Sequence, residues 1–182
     1  VPYYISQIPV EHYITRLPPH LPVFITTWQD LQTRDFVTFD GLSDQWDRFK
    51  PAYFQLGSYW HTLPPQPLLP EIRILRPAKP TFAHSQLTYH ALIYQQQGWQ
   101  LADSVAHQLK FEWHLIKTDN YGNDMFLKSI GTGPSITIDI PENANQYRLY
   151  LEAVNGNQVR GTQTPLNTPL FHSLTKEKTT IP

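Results

Sequence analysis

At 182 residues the chain has room for one large domain or two small ones. Hydrophobic residues make up 40% and aromatics 13%, enough for a core, while 17 prolines against 8 glycines point to rigid loops and edges of a β-rich architecture. The 14 Lys+Arg are offset by 15 Asp+Glu, which leaves no electrostatic footprint for nucleic acid or an anionic membrane. With no cysteine, a disulfide framework, a thiolate zinc site and a cysteine nucleophile are all excluded. No stretch approaches the ~20 apolar residues that cross a bilayer. The opening Val1-Pro2-Tyr3-Tyr4 carries neither an initiator Met nor a signal-peptide pattern, and a piece of a longer chain is expected.

Three zones follow in chain order. Residues 1–62 read as α/β. A short helix is predicted over residues 9–17, with Pro9 in its first turn and Val10, Tyr13, Ile14 and Leu17 on one face. Pro18-Pro19 stops it. An apolar strand is predicted over residues 23–27, then a loop, then a helix over residues 51–60 with Pro51 at its start. Tyr53, Leu56 and Trp60 share the stripe of that second helix. Residues 63–70, LPPQPLLP, form a Pro-rich linker, where four prolines in eight residues forbid helix or interior strand.

Residues 71–170 read as all-β, ending in a flexible tail over residues 171–182. Ile72, Ile74 and Leu75 mark one strand. In the next, Leu87, Tyr89, Ala91 and Ile93 share a face. Over residues 109–117 the pattern puts Leu109, Phe111, Trp113 and Leu115 inward and Lys110, Glu112 and His114 opposite. Further strands are predicted over residues 125–130, 135–140 and 146–154, and Asn155-Gly156-Asn157 is a hairpin signal into residues 158–160. About seven short strands with turn chemistry between them argue for a β-sandwich.

Chemistry-bearing patterns are sparse. Asp119-Asn120-Tyr121-Gly122-Asn123-Asp124 has the oxygen ligands of a calcium loop but not the twelve-residue spacing, and a polar turn between strands explains it. The eight histidines form no HxxxH or HxH pair, so no metal is expected. Gly131-Thr132-Gly133-Pro134 lacks the Lys-Ser/Thr of a phosphate loop, and GxSxG does not occur. Trp99 and Tyr121, assigned to loops, are candidate sugar platforms, since an aromatic face stacks on the C–H face of a pyranose. Core or edge packing is the alternative for both.

Two resemblances bear on function. The run Val23-Phe24-Ile25 into Thr26-Thr27-Trp28-Gln29-Asp30, then Asp40-Gly41-Leu42-Ser43-Asp44 and Lys50-Pro51-Ala52-Tyr53, resembles the last βα unit of a glycoside hydrolase family 2-like (β/α)8 barrel. That resemblance implies that Trp28 stacks on sugar while Gln29 and Asp30 bond hydroxyls at the rim. A buried structural Trp is the alternative at 28. Ser135 to Gly156 is similar to the corner of fibronectin type III and immunoglobulin-like domains, with Tyr147 at the tyrosine-corner position and Trp113 at the central core position.

Together they imply a mainly β fold: an immunoglobulin/fibronectin III-like sandwich preceded by a small α/β segment resembling a barrel end. The family's two catalytic carboxyls lie on strands upstream of the matched segment, so no catalytic residue and no cofactor is expected here. The reading is a non-catalytic C-terminal portion of a larger, bacterial, carbohydrate-active protein. Its partners would be a polysaccharide or oligosaccharide and the upstream catalytic domain of the same parent chain, in an extracytoplasmic or membrane-associated setting. Alternatives are a freestanding structural or binding domain, or an accessory domain of a membrane polysaccharide (cellulose-like) synthase.

Overall fold

The computed structural model describes residues 25, 27–78, 81–96, 98–105 and 108–166. The helix expected over residues 9–17, most of the strand expected over residues 23–27, and the tail over residues 171–182 lie outside them.

Pro51 opens α1 (Pro51–Tyr59), a position where its missing N–H removes no helical bond. The helix buries Ala52, Phe54 and Leu56. Trp60 does not continue the Leu56 stripe as the sequence pattern implies. The helix ends at Tyr59, the Trp60 N–H closes onto the Leu56 carbonyl (2.9 Å), and Tyr59 and Trp60 are exposed. Residues 64–70 follow without regular secondary structure. Leu69 is buried there, and the Pro67 carbonyl accepts from Gln158 Nε2 (3.3 Å).

The remaining elements are β1 (Ile72–Leu75), β2 (Gln86–Gln95), β3 (Gly98–Leu101), one helical turn Ala102–Val105, β4 (Lys110–Thr118), β5 (Asp124–Thr132), β6 (Ser135–Asp139), a 3-10 turn Ala144–Gln146, β7 (Tyr147–Asn155) and β8 (Gln158–Pro165). They make a mainly β fold of two antiparallel four-stranded sheets. One has the order β1-β2-β3 with β6 also paired to β2; the other has the order β5-β4-β7-β8. The alternation within the strands sets which side chains meet. Tyr89, Ala91 and Ile93 of β2, Phe111 and Trp113 of β4, and Leu149, Leu151 and Ala153 of β7 share one core, each at most 3% exposed. The Trp113 indole N–H donates to the Gly133 carbonyl (2.7 Å), so its one polar atom is satisfied at zero exposure.

Two further sequence expectations change. Trp99 lies in β3, not in a loop, paired with Tyr94 of β2. The second change concerns the far side of β4 and β7, where His114, Ile116, Tyr150 and Glu152 are each at most 3% exposed. The alternation assigned His114 to the polar side, and that side is covered. The cover is the segment over residues 29–50, which clasps the second sheet by both edges. The Val37 N–H donates to the Asp124 carbonyl at the start of β5 (2.8 Å). At the other edge, the Phe49 N–H donates to the Asn157 carbonyl (2.7 Å) and the Val159 N–H to the Phe49 carbonyl (3.0 Å). Between these anchors Val37 and Phe39 pack on Ile116, Leu127 and Tyr150, a second apolar cluster outside the main core.

Candidate functional site

Under the clasp lies a charge cluster centred on Arg48. Its Nε donates to Asp44 Oδ2, Nη1 to Glu112 Oε2 (2.7 Å) and Nη2 to Glu152 Oε2 (2.8 Å). Asp44 comes from the clasp, Glu112 from β4 and Glu152 from β7. Asp44 is fixed by local chain geometry: its Oδ1 accepts the N–H groups of Trp46 and Arg48, both at 2.9 Å, around a turn in which Asp47 has φ 61°. Burial opposes the Arg48 charge, but Glu152, Glu112 and Asp44 outweigh it and hold the guanidinium above its ordinary range.

His114 Nε2 sits 3.1 Å from the same Glu152 oxygen. A carboxylate already bound to Arg48 assigns the proton to Nε2, which leaves the buried Nδ1 with no partner. Glu112, His114 and Glu152 offer donor atoms within 4.8 Å of one another, the composition of a metal site. The guanidinium stands where a cation would, so the trio does not fit a metal while Arg48 keeps its contacts. Tyr150, beneath, stacks at a tilt on Phe39 (4.9 Å) and on His114 (6.0 Å). Burial first, then Glu152 and Asp30, push its hydroxyl well above the usual phenol range.

A second buried pair holds the clasp from within. Lys50 Nζ donates to Asp30 Oδ1 (2.5 Å) and to the Phe39 carbonyl (3.0 Å), and the Gly41 N–H reaches the same carboxylate oxygen (3.0 Å). Burial raises the Asp30 carboxyl from 3.8 to about 6, against the opposing pull of Lys50.

Of the residues singled out in the sequence, Trp28 is 58% exposed and meets Tyr53 edge-on at 5.8 Å. Gln29 is half-buried and donates through Nε2 to Asp47 Oδ1 (2.9 Å). Asp30, adjacent in sequence, is turned inward to Lys50 and offers no rim carboxylate. Trp99 is half-buried on the first sheet, with the Arg73 guanidinium 4.3 Å from its ring and Tyr94 at 5.4 Å. Tyr121 is 92% exposed in the β4–β5 turn. In that turn the Asp119 carboxylate accepts from the Tyr121 and Asn123 N–H groups and from Asn123 Nδ2, so its oxygens serve the turn itself. The Asn123 bond leads the causes that lower its pKa. Trp28, Gln29 and Asp30 stand together; Trp99 and Tyr121 are on other elements.

The residues that sequence reasoning passed over are Trp46, Arg48, His114 and Glu152. A signal existed in YLEAV, where Glu152 interrupts a strand apolar on both faces, since a charge at such a position needs a buried partner. Beside the cluster is an open hollow of about 310 Å³ lined by Gln32, Gln45, Trp46, His114, Leu127 and Ser129. The β4–β5 register shifts beside His114, so Ile130 is passed over and Ser129 stands opposite His114. Trp46 lies over the cluster, its ring 5.6 Å from that of His114 and 4.8 Å from the Arg48 guanidinium, with 49% of its surface exposed. Compared with protein-family models, curated proteins and solved structures, the chain matches none of them.

Proposed function

We propose that this chain is the non-catalytic C-terminal portion of a larger carbohydrate-active protein, with its β part a spacer or glycan-contacting module. In this reading the two sheets are an immunoglobulin/fibronectin III-like sandwich, and the clasp with α1 is the closing edge of a barrel. The carbohydrate part rests on the resemblance of the Trp28-Gln29-Asp30 and Lys50-Pro51-Ala52-Tyr53 runs to a glycosidase barrel end, and the observation that carries the non-catalytic part is the Arg48 cluster. Oxygens of Glu112 and Glu152 lie within 4.8 Å, close to the ~5–5.5 Å that a retaining glycosidase needs between its carboxyls. Both are held by one guanidinium, and the Glu152 side chain is 2% exposed, so Glu152 is shut off from substrate and Glu112 has no accessible carboxylate partner for glycosidic cleavage. The carboxylates join the barrel-like segment to the sandwich instead of acting on substrate.

Gel electrophoresis through soluble β-glucan or mannan, with a reducing-end assay on the same samples, tests this. Retardation without release of reducing ends is expected. Release of reducing ends by this chain would overturn the non-catalytic reading; unchanged mobility on both polysaccharides would remove glycan contact. The clasp's backbone bonds to both sheet edges also favour a second reading, in which the segment packs on the sheet for structure alone. Unchanged mobility would favour it.

A further inference from the structure

We infer that the hollow beside Trp46 is a binding site for one neutral pyranose residue of a glycan, a step that rests on the carbohydrate reading above and gives it a location. Size comes first. At about 310 Å³ the hollow is at the lower end of the ~300–1,000 Å³ range of small-molecule sites, suited to a single ring and not to an extended groove of subsites. The lining chemistry then narrows the class. Gln32 and Gln45 bring amides that both donate and accept, and Ser129 brings a hydroxyl; none of these side-chain groups is engaged by another described residue. Leu127 and the indole of Trp46 supply the apolar surface, and an aromatic ring edged by amides matches a ligand with C–H faces and hydroxyl rims. His114 completes the wall.

Charge excludes the main competitor. A phosphate, sulfate or uronate needs a free cation, yet no Lys or Arg lines the hollow, and the neighbouring Arg48 is bound by Asp44, Glu112 and Glu152. Three carboxylates against one guanidinium leave the surroundings net negative, which repels anions and leaves a neutral polyol favoured. None of the candidate platforms read from the sequence lies here. The site exists because the clasp brings Gln32, Gln45 and Trp46 over the β5 residues Leu127 and Ser129.

The test is a titration of the folded chain with cellohexaose and with mannohexaose, followed by Trp fluorescence and by saturation-transfer NMR. Variants Trp46→Ala and Ser129→Leu are compared with Trp28→Ala and Trp99→Ala. Ser129 is exposed on β5, so leucine there fills the hollow without entering the core, and it keeps the test valid if Trp46→Ala loosens the clasp. Binding weakened at least tenfold by Trp46→Ala and by Ser129→Leu, but within twofold of wild type in the other two variants, is the expected result. Binding that survives both hollow variants and falls in Trp28→Ala or Trp99→Ala would overturn this site while leaving the carbohydrate reading intact. No binding of either oligosaccharide, with unchanged mobility in polysaccharide gels, would overturn both.

Discussion

Arg48 Nη2 lies 2.8 Å from Glu152 Oε2, and that oxygen is also 3.1 Å from His114 Nε2. One buried carboxylate oxygen in the middle of β7 therefore ties a residue of the clasp to a residue of β4. Desolvating charges is expensive, and such a cluster persists only while its partners remain matched. Replacing Arg48 with Ala removes the countercharge of Asp44 and Glu152, both 2% exposed at the side chain, leaving Asp44 its two backbone donors and Glu152 only His114, and a loss of about 3–5 kcal/mol is expected. Lys at this position also fails, because one ammonium lacks the planar fork that meets three carboxylates. Urea denaturation reads both variants. Adding Glu152→Gln to Arg48→Met should recover part of the loss, and a double variant no more stable than Arg48→Met alone would contradict the assignment.

The Asp30–Lys50 pair gives a pH signature. The Asp30 carboxyl is raised to about 6 by burial, so the folded chain holds a proton there that the unfolded chain releases nearer 3.8. A raised folded pKa means that the group's contribution is fully present below 3.8 and is lost as pH rises through about 6. The stability difference between the wild type and Asp30→Asn should therefore fall across that window and level off above it. Carbon-13 titration of the carboxyl should show a midpoint near 6. A midpoint below 4, or a difference flat from pH 3 to 7, would contradict this account.

Gly41 is required by a close backbone approach. A Cβ there would strike the Asp30 nitrogen and the Gln29 carbonyl carbon, and would lie 2.7 Å from Gln29 Cα. These strands of chain cannot part freely, because the Leu42 N–H donates to the Trp28 carbonyl (2.8 Å) and the Asp30 N–H to the Ser43 carbonyl (2.9 Å). Gly41→Ala should destabilise the chain by at least about 1–3 kcal/mol, the usual scale of overpacking. Amide hydrogen exchange is the readout: protection at Asp30, Leu42 and Lys50 should drop before that of β4 and β7. Uniform loss across all strands would mean that the clasp does not open separately.

Much of the fold was legible because period-two alternation survives wherever one face of a sheet is buried. Leu87, Tyr89, Ala91 and Ile93 read correctly from sequence, and so did Phe111 and Trp113. The α1 start was legible from Pro51, where fixed φ and the missing N–H leave little choice. The cluster was not, because alternation reports a polar side chain as solvent-facing and cannot say that a distant segment covers it. His114 and Glu152 are buried only because residues 29–50 cross the sheet, and the partners of Arg48 on that sheet, Glu112 and Glu152, lie 64 and 104 positions away. The strand at Trp99 is not legible, because GWQL, at four residues, is too short for its period to be read.

Gly161 and Tyr150 fit each other across the β7–β8 pair. A Cβ on Gly161 would overlap the Tyr150 hydroxyl and lie 2.7 and 2.8 Å from its Cζ and Cε2. Tyr150 cannot retreat, since it is 3% exposed and its ring is held by Phe39 and His114. Gly161→Ala should thus cost about 1–3 kcal/mol through overpacking. Tyr150→Leu alone should also destabilise, by removing the ring from the outer apolar cluster. In the double variant the methyl introduced by Gly161→Ala occupies space that the ring vacated, so the two losses should not add. A thermodynamic cycle from urea midpoints should give a favourable coupling of roughly 1 kcal/mol or more, while additivity within about 0.5 kcal/mol would show that the two positions do not share this space.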